Sequence, residues 1–148
     1  MSQIIQYTTF YLGETYLGID VLQVREILVR QEMTPVPQSP AAVLGLINLR
    51  GQIVTAVDLR RRMGMPPVQN DENSMNVVIR TSEGPVSLLV DAVGDVISVN
   101  ESALEPTPDN VSGPARKFVS GVYKLDGCLL AVLDVERLFP GEARGQAA

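Results

Sequence analysis

Apolar and polar positions along this chain change over in short runs rich in Val, Ile, Leu, Tyr and Thr, separated by glycine-containing turns, which is a β signal. Five strands are predicted in the first half, over residues 3–12, 15–19, 25–31, 44–50 and 52–57. Five more are predicted over 76–81, 86–90, 95–99, 120–125 and 128–133. Hairpin turns fit at Gly13-Glu14, Arg50-Gly51, Glu83-Gly84 and Asp126-Gly127, the last a strong Asp-Gly signal. Helix is a minor component: Asp58 and Asp134 each close a strand and can cap a short helical turn, over 59–63 before Gly64 and 135–139 before Pro140.

The pattern repeats. Residues 45–59 align without a gap on 121–135 at an offset of 76, so that Gly45/Gly121, Leu49/Leu125, Gly51/Gly127 and Asp58/Asp134 coincide. Upstream, 17–20 aligns on 88–91 at an offset of 71, and 24–28 on 93–97 at an offset of 69. The order of blocks is the same in both halves, which argues for two related subdomains, about 1–68 and 75–148, joined through Pro66-Pro67 and the polar run 69–74. A unit of about 70 residues rarely supplies a sufficient core alone. The expectation is one structural domain, 1–148, whose halves pack around shared apolar surface. Barrels hide the edges that open sheets expose, so the expected class is all-β with two small pseudo-symmetric barrels.

Composition narrows the chemistry. The 148 residues carry 12 Lys and Arg against 17 Asp and Glu, a net charge of −5, so no broad basic surface exists for counterion release from a nucleic-acid backbone. There is no His, which removes Ser-His-Asp, Cys-His and zincin chemistry. The single Cys128, between Gly127 and Leu129-Leu130, reads as a buried, inert thiol in an apolar strand. No Walker A loop or G-x-G-x-x-G occurs, and no metal or cofactor is expected. No apolar run approaches the roughly 18 residues of a spanning helix, and the first basic residue is Arg25, so neither direct membrane insertion nor a signal peptide is expected and a cytoplasmic location follows. The Asn-x-Ser triplet at Asn110 is then without consequence.

Several blocks, taken together in their order, resemble the CheW family, the adaptor that joins chemoreceptors to the histidine kinase CheA in bacterial chemosensory arrays. They are Val24-x-Glu26-Ile27, Thr34-Pro35-Val36-Pro37 with Ser39-Pro40, Gly45-x-Ile47-Asn48-Leu49-Arg50-Gly51-Gln52-Ile53, Val57-Asp58-Leu59-Arg60 and Val90-Asp91-x-Val93. The resemblance spans nearly the whole chain and implies a pair of five-stranded SH3-like barrels with an apolar interface. Thr55, where the family commonly has Pro, and the small Ala56 depart from the pattern and bear on local packing. Because the pattern fills the chain and leaves only a short tail after Pro140, a free-standing adaptor is expected.

Three residues are candidates for partner contact. In an extended strand, alternation puts Val24 and Glu26 on one face and Arg25 and Ile27 on the other. The bland reading is a partly buried Val beside a solvated Glu; the resemblance implies a receptor-contact role for both. Arg50 should project into solvent from its turn. It either pairs with a neighbouring carboxylate, an interaction worth about 0 to 1 kcal/mol when exposed, or, as the matching motif implies, meets receptor or kinase, where guanidinium groups are over-represented among hot spots. Asn48 and Gly51 support the turn. The triplet Arg60-Arg61-Arg62 reads as a solvated helical turn, and the stretch from Pro35 to Pro40 as a stiff connection more than a polyproline ligand.

The expected function is a non-enzymatic scaffold whose partners are the chemoreceptor cytoplasmic tip and the CheA regulatory domain, recruited to membrane-associated arrays. The alternatives are a CheW-like adaptor of a sister pathway controlling pili or a second messenger, and a small-ligand-binding β protein using the groove between barrels. A dyad of Asp58 and Asp134 is a lesser option, since capping explains both positions with less.

Overall fold

A computed structural model describes residues 3–37, 42–67, 73–82, 84–109 and 114–138. Glu83, Ser39-Pro40, the linker residues 69–72, the Asn110 triplet and everything from Phe139 onward lie outside the described residues. All ten expected strands form: β1 (Ile4–Leu12), β2 (Thr15–Asp20), β3 (Val24–Val29), β4 (Val43–Leu49), β5 (Gln52–Asp58), β6 (Met75–Thr81), β7 (Gly84–Val90), β8 (Ala92–Asn100), β9 (Val119–Leu125) and β10 (Cys128–Leu133). Two short helices follow their aspartates, α1 (Leu59–Arg62) and α2 (Val135–Leu138). The largest change of boundary is in β8, which pairs with β1 from Ile4↔Asn100 to Tyr11↔Ala92 and so outgrows its predicted span.

The strands form two five-stranded sheets that curl into barrels, ordered β8-β1-β2-β10-β9 and β3-β6-β7-β5-β4. This corrects the expected division. The halves 1–68 and 75–148 are not the two barrels, because β5 and β6, which flank the linker, belong to the same sheet. One barrel, here the central barrel, is the continuous stretch β3 to β7; the other, the terminal barrel, is assembled from β1 and β2 at one end of the chain and β8 to β10 at the other. The repeat is nonetheless real in three dimensions. Substituting each strand by its equivalent five places along converts one sheet order into the other, including the parallel contacts β5·β7 and β10·β2. The physical reason is that β1-β2 and β6-β7 have each paired with the other half's last three strands.

That exchange puts the largest core between the barrels. Phe10, Leu12, Leu17 and Ile19 of the terminal barrel meet Val77, Ile79, Val86 and Leu88 of the central one in a single cluster. The odd positions of β6, Val77 and Ile79, face this interface while Val78 joins Ile47, Leu49, Val54 and Ala56 inside the central barrel. Strands covered on both faces read as nearly continuous apolar runs, as β6 and β7 do. Tyr7, Tyr123, Leu130 and Val132 fill the terminal barrel. Burying a Leu, Ile or Phe stabilises by about 1.5–3 kcal/mol relative to exposure, so the shared interface contributes heavily to holding the two sheets together.

Two glycines mark equivalent crossings. Thr34 and Leu46 exchange backbone hydrogen bonds of 2.8 Å each way, and Glu105 and Val122 do the same at 2.8 and 2.9 Å. A Cβ on Gly45 would collide with the Thr34 carbonyl, and one on Gly121 would sit 2.8 Å from the Glu105 carbonyl. These crossing segments cover the outer edges of β4 and β9, which blunts edge-to-edge association. Cys128 departs from expectation: it begins β10 at the hairpin end and is exposed, because the apolar character of its neighbours is spent on Leu130, one strand period further in.

Candidate functional site

The β4-β5 hairpin turns in two residues, Leu49 pairing with Gln52. Arg50 and Gly51 both have positive φ, 53° and 88°, the geometry of a type I′ turn. Gly51 adopts it freely; Arg50 is the one non-glycine with positive φ among the described residues. A left-handed L-residue is disfavoured by roughly 1–2 kcal/mol. The Asn48 side-chain oxygen accepts a hydrogen bond from the Gly51 N–H at 2.9 Å and holds the turn shut.

Held this way, Arg50 reaches across to β3, where its Nη2 donates to Glu26 Oε2 at 2.5 Å. Arg25 Nε lies 3.8 Å from the same carboxylate oxygen, and Arg25 Nη1 donates to Gln52 Oε1 at 2.6 Å. The Arg50 side chain is 65% exposed and Glu26 21%. An ion pair so wet contributes at most about 1 kcal/mol. Its consequence is positional: a guanidinium from the β4-β5 turn and a carboxylate from β3 stand side by side at the surface of the central barrel. Exposed apolar side chains lie close in sequence, Ile27 and Val29 on β3 and Ile53 on β5. Next to them, Arg25, Gln52, Arg80, Thr81, Gly84 and Pro85 line an open cleft of about 420 Å³.

The structure thus brings Glu26, Arg50, Asn48 and Gly51 together and separates Val24 from them. The β3-β6 register slips between Val24↔Ile79 and Glu26↔Val78, a bulge that breaks the expected alternation. Val24 follows Ile79 to the inter-barrel core, partly buried against it, while Glu26 shares the side of Val78. Arg80 reinforces the bulge, its Nη1 donating to the carbonyls of Leu22 and Val24 at 3.2 and 3.0 Å.

A second ion pair lies between α1 and the end of β7. The expected solvated triplet is solvated only at Arg61, which is held 3.4 Å from Asp58. Arg60 makes a two-pronged contact with Asp91: its Nε donates to Oδ1 at 2.9 Å and its Nη2 to Oδ2. The Gly13 N–H of the β1-β2 hairpin donates to Oδ2 at 2.6 Å, so the carboxylate ties one barrel to the other. The Arg60 guanidinium holds the Asp91 carboxyl below the usual carboxylate range; burial opposes this and the Gly13 N–H adds to it. Both residues stand in blocks singled out in the sequence, but nothing in the spacing of 57–60 and 90–93 shows that they meet. Arg62 in turn donates through Nε to the Leu138 carbonyl at 2.9 Å.

Asp58 and Asp134 act as caps. Asp58 Oδ1 accepts from the Arg60 N–H at 3.0 Å, and Asp134 Oδ1 from the N–H groups of Glu136 and Arg137 at 3.0 and 3.3 Å. Each carboxylate also faces the arginine three residues on, at 3.4 Å. Carboxylates occupied in this way are structural groups, and the space between barrels is filled by the shared core.

The CheW-like domain family matches residues 6–143. The chain is 36% identical over 138 residues to the chemotaxis protein CheW of Rhizobium meliloti, an alignment covering 93% of this chain and 89% of that protein. It is 36% identical over 132 residues to the chemotaxis protein CheW of Thermotoga maritima, covering 88% and 84%. The crystal structure of the scaffolding protein TtCheW from Thermoanaerobacter tengcongensis superposes with a TM-score of 0.84 at 30% identity, covering 93% of this chain and 94% of that one.

Proposed function

The chain belongs to the CheW-like domain family and is a chemotaxis scaffold, and from that premise we propose that it couples the cytoplasmic tip of chemoreceptors to the regulatory domain of the kinase CheA. It acts by binding and not by turnover, in the cytoplasm, at membrane-associated receptor arrays. The relatives' names favour chemotaxis over a sister pathway.

One observation carries the placement of the docking surface: the exposed Glu26–Arg50 pair, built on the single left-handed non-glycine among the described residues. The hairpin demands a left-handed residue at this position, and non-glycine residues held in such sparsely populated conformations cluster at functional sites. A paired guanidinium and carboxylate at the surface suits an interface in which ions give register and specificity. Val24 supports this surface from behind, through the core. Coupling then requires only that the two receptor states hold the scaffold and kinase with different affinities, a difference of about 1–3 kcal/mol in typical cases.

The test is reconstitution of the purified chain with receptor fragments and CheA, reading kinase stimulation. Stimulation by the wild type, and its loss in Glu26→Ala and Arg50→Ala with unchanged thermal unfolding, is the expected result. Wild-type stimulation that survives both substitutions rejects the placement of the surface. A wild-type chain that binds neither partner rejects the reading as a whole.

A further inference from the structure

We propose a second interaction surface, a basic face built from α1, α2 and the 3-10 turn Pro114–Phe118, that docks an acidic protein segment. Of the chain's 12 Lys and Arg residues, six are gathered in these three short elements: Arg60, Arg61, Arg62, Arg116, Lys117 and Arg137. The chain as a whole is acidic, at −5, so this concentration is a polarisation and not a reflection of composition.

Contacts show that the elements form one face. The Arg62 guanidinium carbon lies 4.9 Å from the centre of the Phe118 ring and Lys117 Nζ 5.1 Å from the same centre. Arg62 also ties α1 to the Leu138 carbonyl of α2, and Arg137 Nη1 donates to the Lys117 carbonyl at 3.5 Å. The carboxylates present are Asp91, clamped by Arg60, Asp58, facing Arg61, Asp134, facing Arg137, and the exposed Glu136, so the cations of the face still outnumber its carboxylates. Neither Arg62 nor Lys117 is ion-paired among the described residues; each is steadied by the ring and, for Arg62, a carbonyl. Cations fixed by aromatic and carbonyl contacts keep their charge available while losing little further freedom on binding.

The occupant is an acidic protein segment and not a lipid surface. Stable binding to a membrane surface needs buried apolar anchors besides charge. Phe118 is 2% exposed, and none of the exposed large hydrophobic side chains belongs to these three elements. The surface lies on different elements from the Glu26–Arg50 pair, so the two docking readings stand or fall separately.

The experiment is titration of the full chain with a hexaglutamate peptide at about 30 mM salt, where screening is weak, followed by two-dimensional NMR. Binding is expected to move amide signals in 59–62, 114–118 and 135–138, to weaken with added salt, and to fall roughly tenfold in Lys117→Glu combined with Arg137→Glu. Lys124→Glu, six residues along β9 from the turn, and Arg50→Ala should leave it unchanged. Absence of hexaglutamate binding, binding indifferent to the charge reversal, or sedimentation with phosphatidylserine vesicles in place of peptide binding would each overturn the proposal.

Discussion

The central and terminal barrels share a sequence pattern, a strand order and a pair of capped helical turns, yet they differ in charge at the arginine of each of two ion pairs that the central barrel makes between distant elements, Arg50–Glu26 and Arg60–Asp91. By the repeat offsets, Glu26 corresponds to Asp95 and Arg50 to Asp126; Asp91 corresponds to Asp20 and Arg60 to Glu136. Two attractive pairs in one barrel therefore map onto two like-charged pairs in the other. The turn differs as well: Arg50 has positive φ and Asp126 does not. Backbone hydrogen bonds, caps and the close glycine crossings are preserved because both barrels need them to fold. The charges differ because a fold does not require them: the central barrel carries the Arg60–Asp91 clamp and the Glu26–Arg50 pair, whereas the terminal barrel has an exposed Lys124–Glu105 pair at a different place.

The strongest way to break this comparison is to cut the chain. If the barrels were the sequence halves, residues 1–68 would fold; the strand exchange predicts that this fragment shows no cooperative thermal transition, losing the whole of a typical stability of about 5–15 kcal/mol. A sharp melting transition in 1–68 alone would refute the pairing of β1 and β2 with β8 and β10. Next in size, Gly45→Ala and Gly121→Ala should each destabilise by about 2–3 kcal/mol, as overpacking does, measured by denaturant midpoint at constant slope. Equal losses confirm the equivalence of the crossings, and no loss at either breaks it.

Asp91→Asn should cost about 2 kcal/mol, the scale of hydrogen bonds to a charged group. Its pH dependence distinguishes it from a packing defect. A carboxyl held low in the folded chain and near 3.9 unfolded contributes stability above about pH 4 that is lost as pH falls through the lowered value. Wild type should therefore lose more stability than Asp91→Asn between neutral pH and pH 3, and parallel acid profiles would contradict the clamp. Smallest in stability is Arg50→Gly, which relieves the left-handed backbone and forfeits a weak ion pair, for a net change of no more than about 1 kcal/mol. Its effect on partner binding should be far larger, about thirtyfold if Arg50 is a hot spot, whereas Asp126→Ala should leave binding unchanged.

Strand existence, both helix caps and the duplication were legible in the sequence because each is a local pattern or a comparison of local patterns. The turn at Arg50-Gly51 was legible for the same reason. What could not be read was which equivalent strand pairs with which: β1 has the same local character as β6, and both could close either barrel on pattern alone. The Val24 bulge was hidden because a one-residue slip leaves no mark in composition, and it moved Val24 to the opposite face from Glu26. Arg60–Asp91 and Arg50–Glu26 are separated by 31 and 24 residues, so their meeting is a product of topology. The exposure of Cys128 is not legible from its apolar neighbours, because its place at the hairpin end outweighs them.

The discontinuity of the terminal barrel also sets an order of assembly during synthesis. A growing chain has all the strands of the central barrel once Val90 has emerged, whereas Ile4 must wait for Asn100 and Leu17 for Ala131. At elongation rates of about 5–20 residues per second, the first hairpin stays without its lasting neighbours for several seconds, presenting Phe10, Leu12 and Leu17 to the cell. The nascent β1-β2 segment is thus open to chaperones and proteases for longer than any strand of the central barrel.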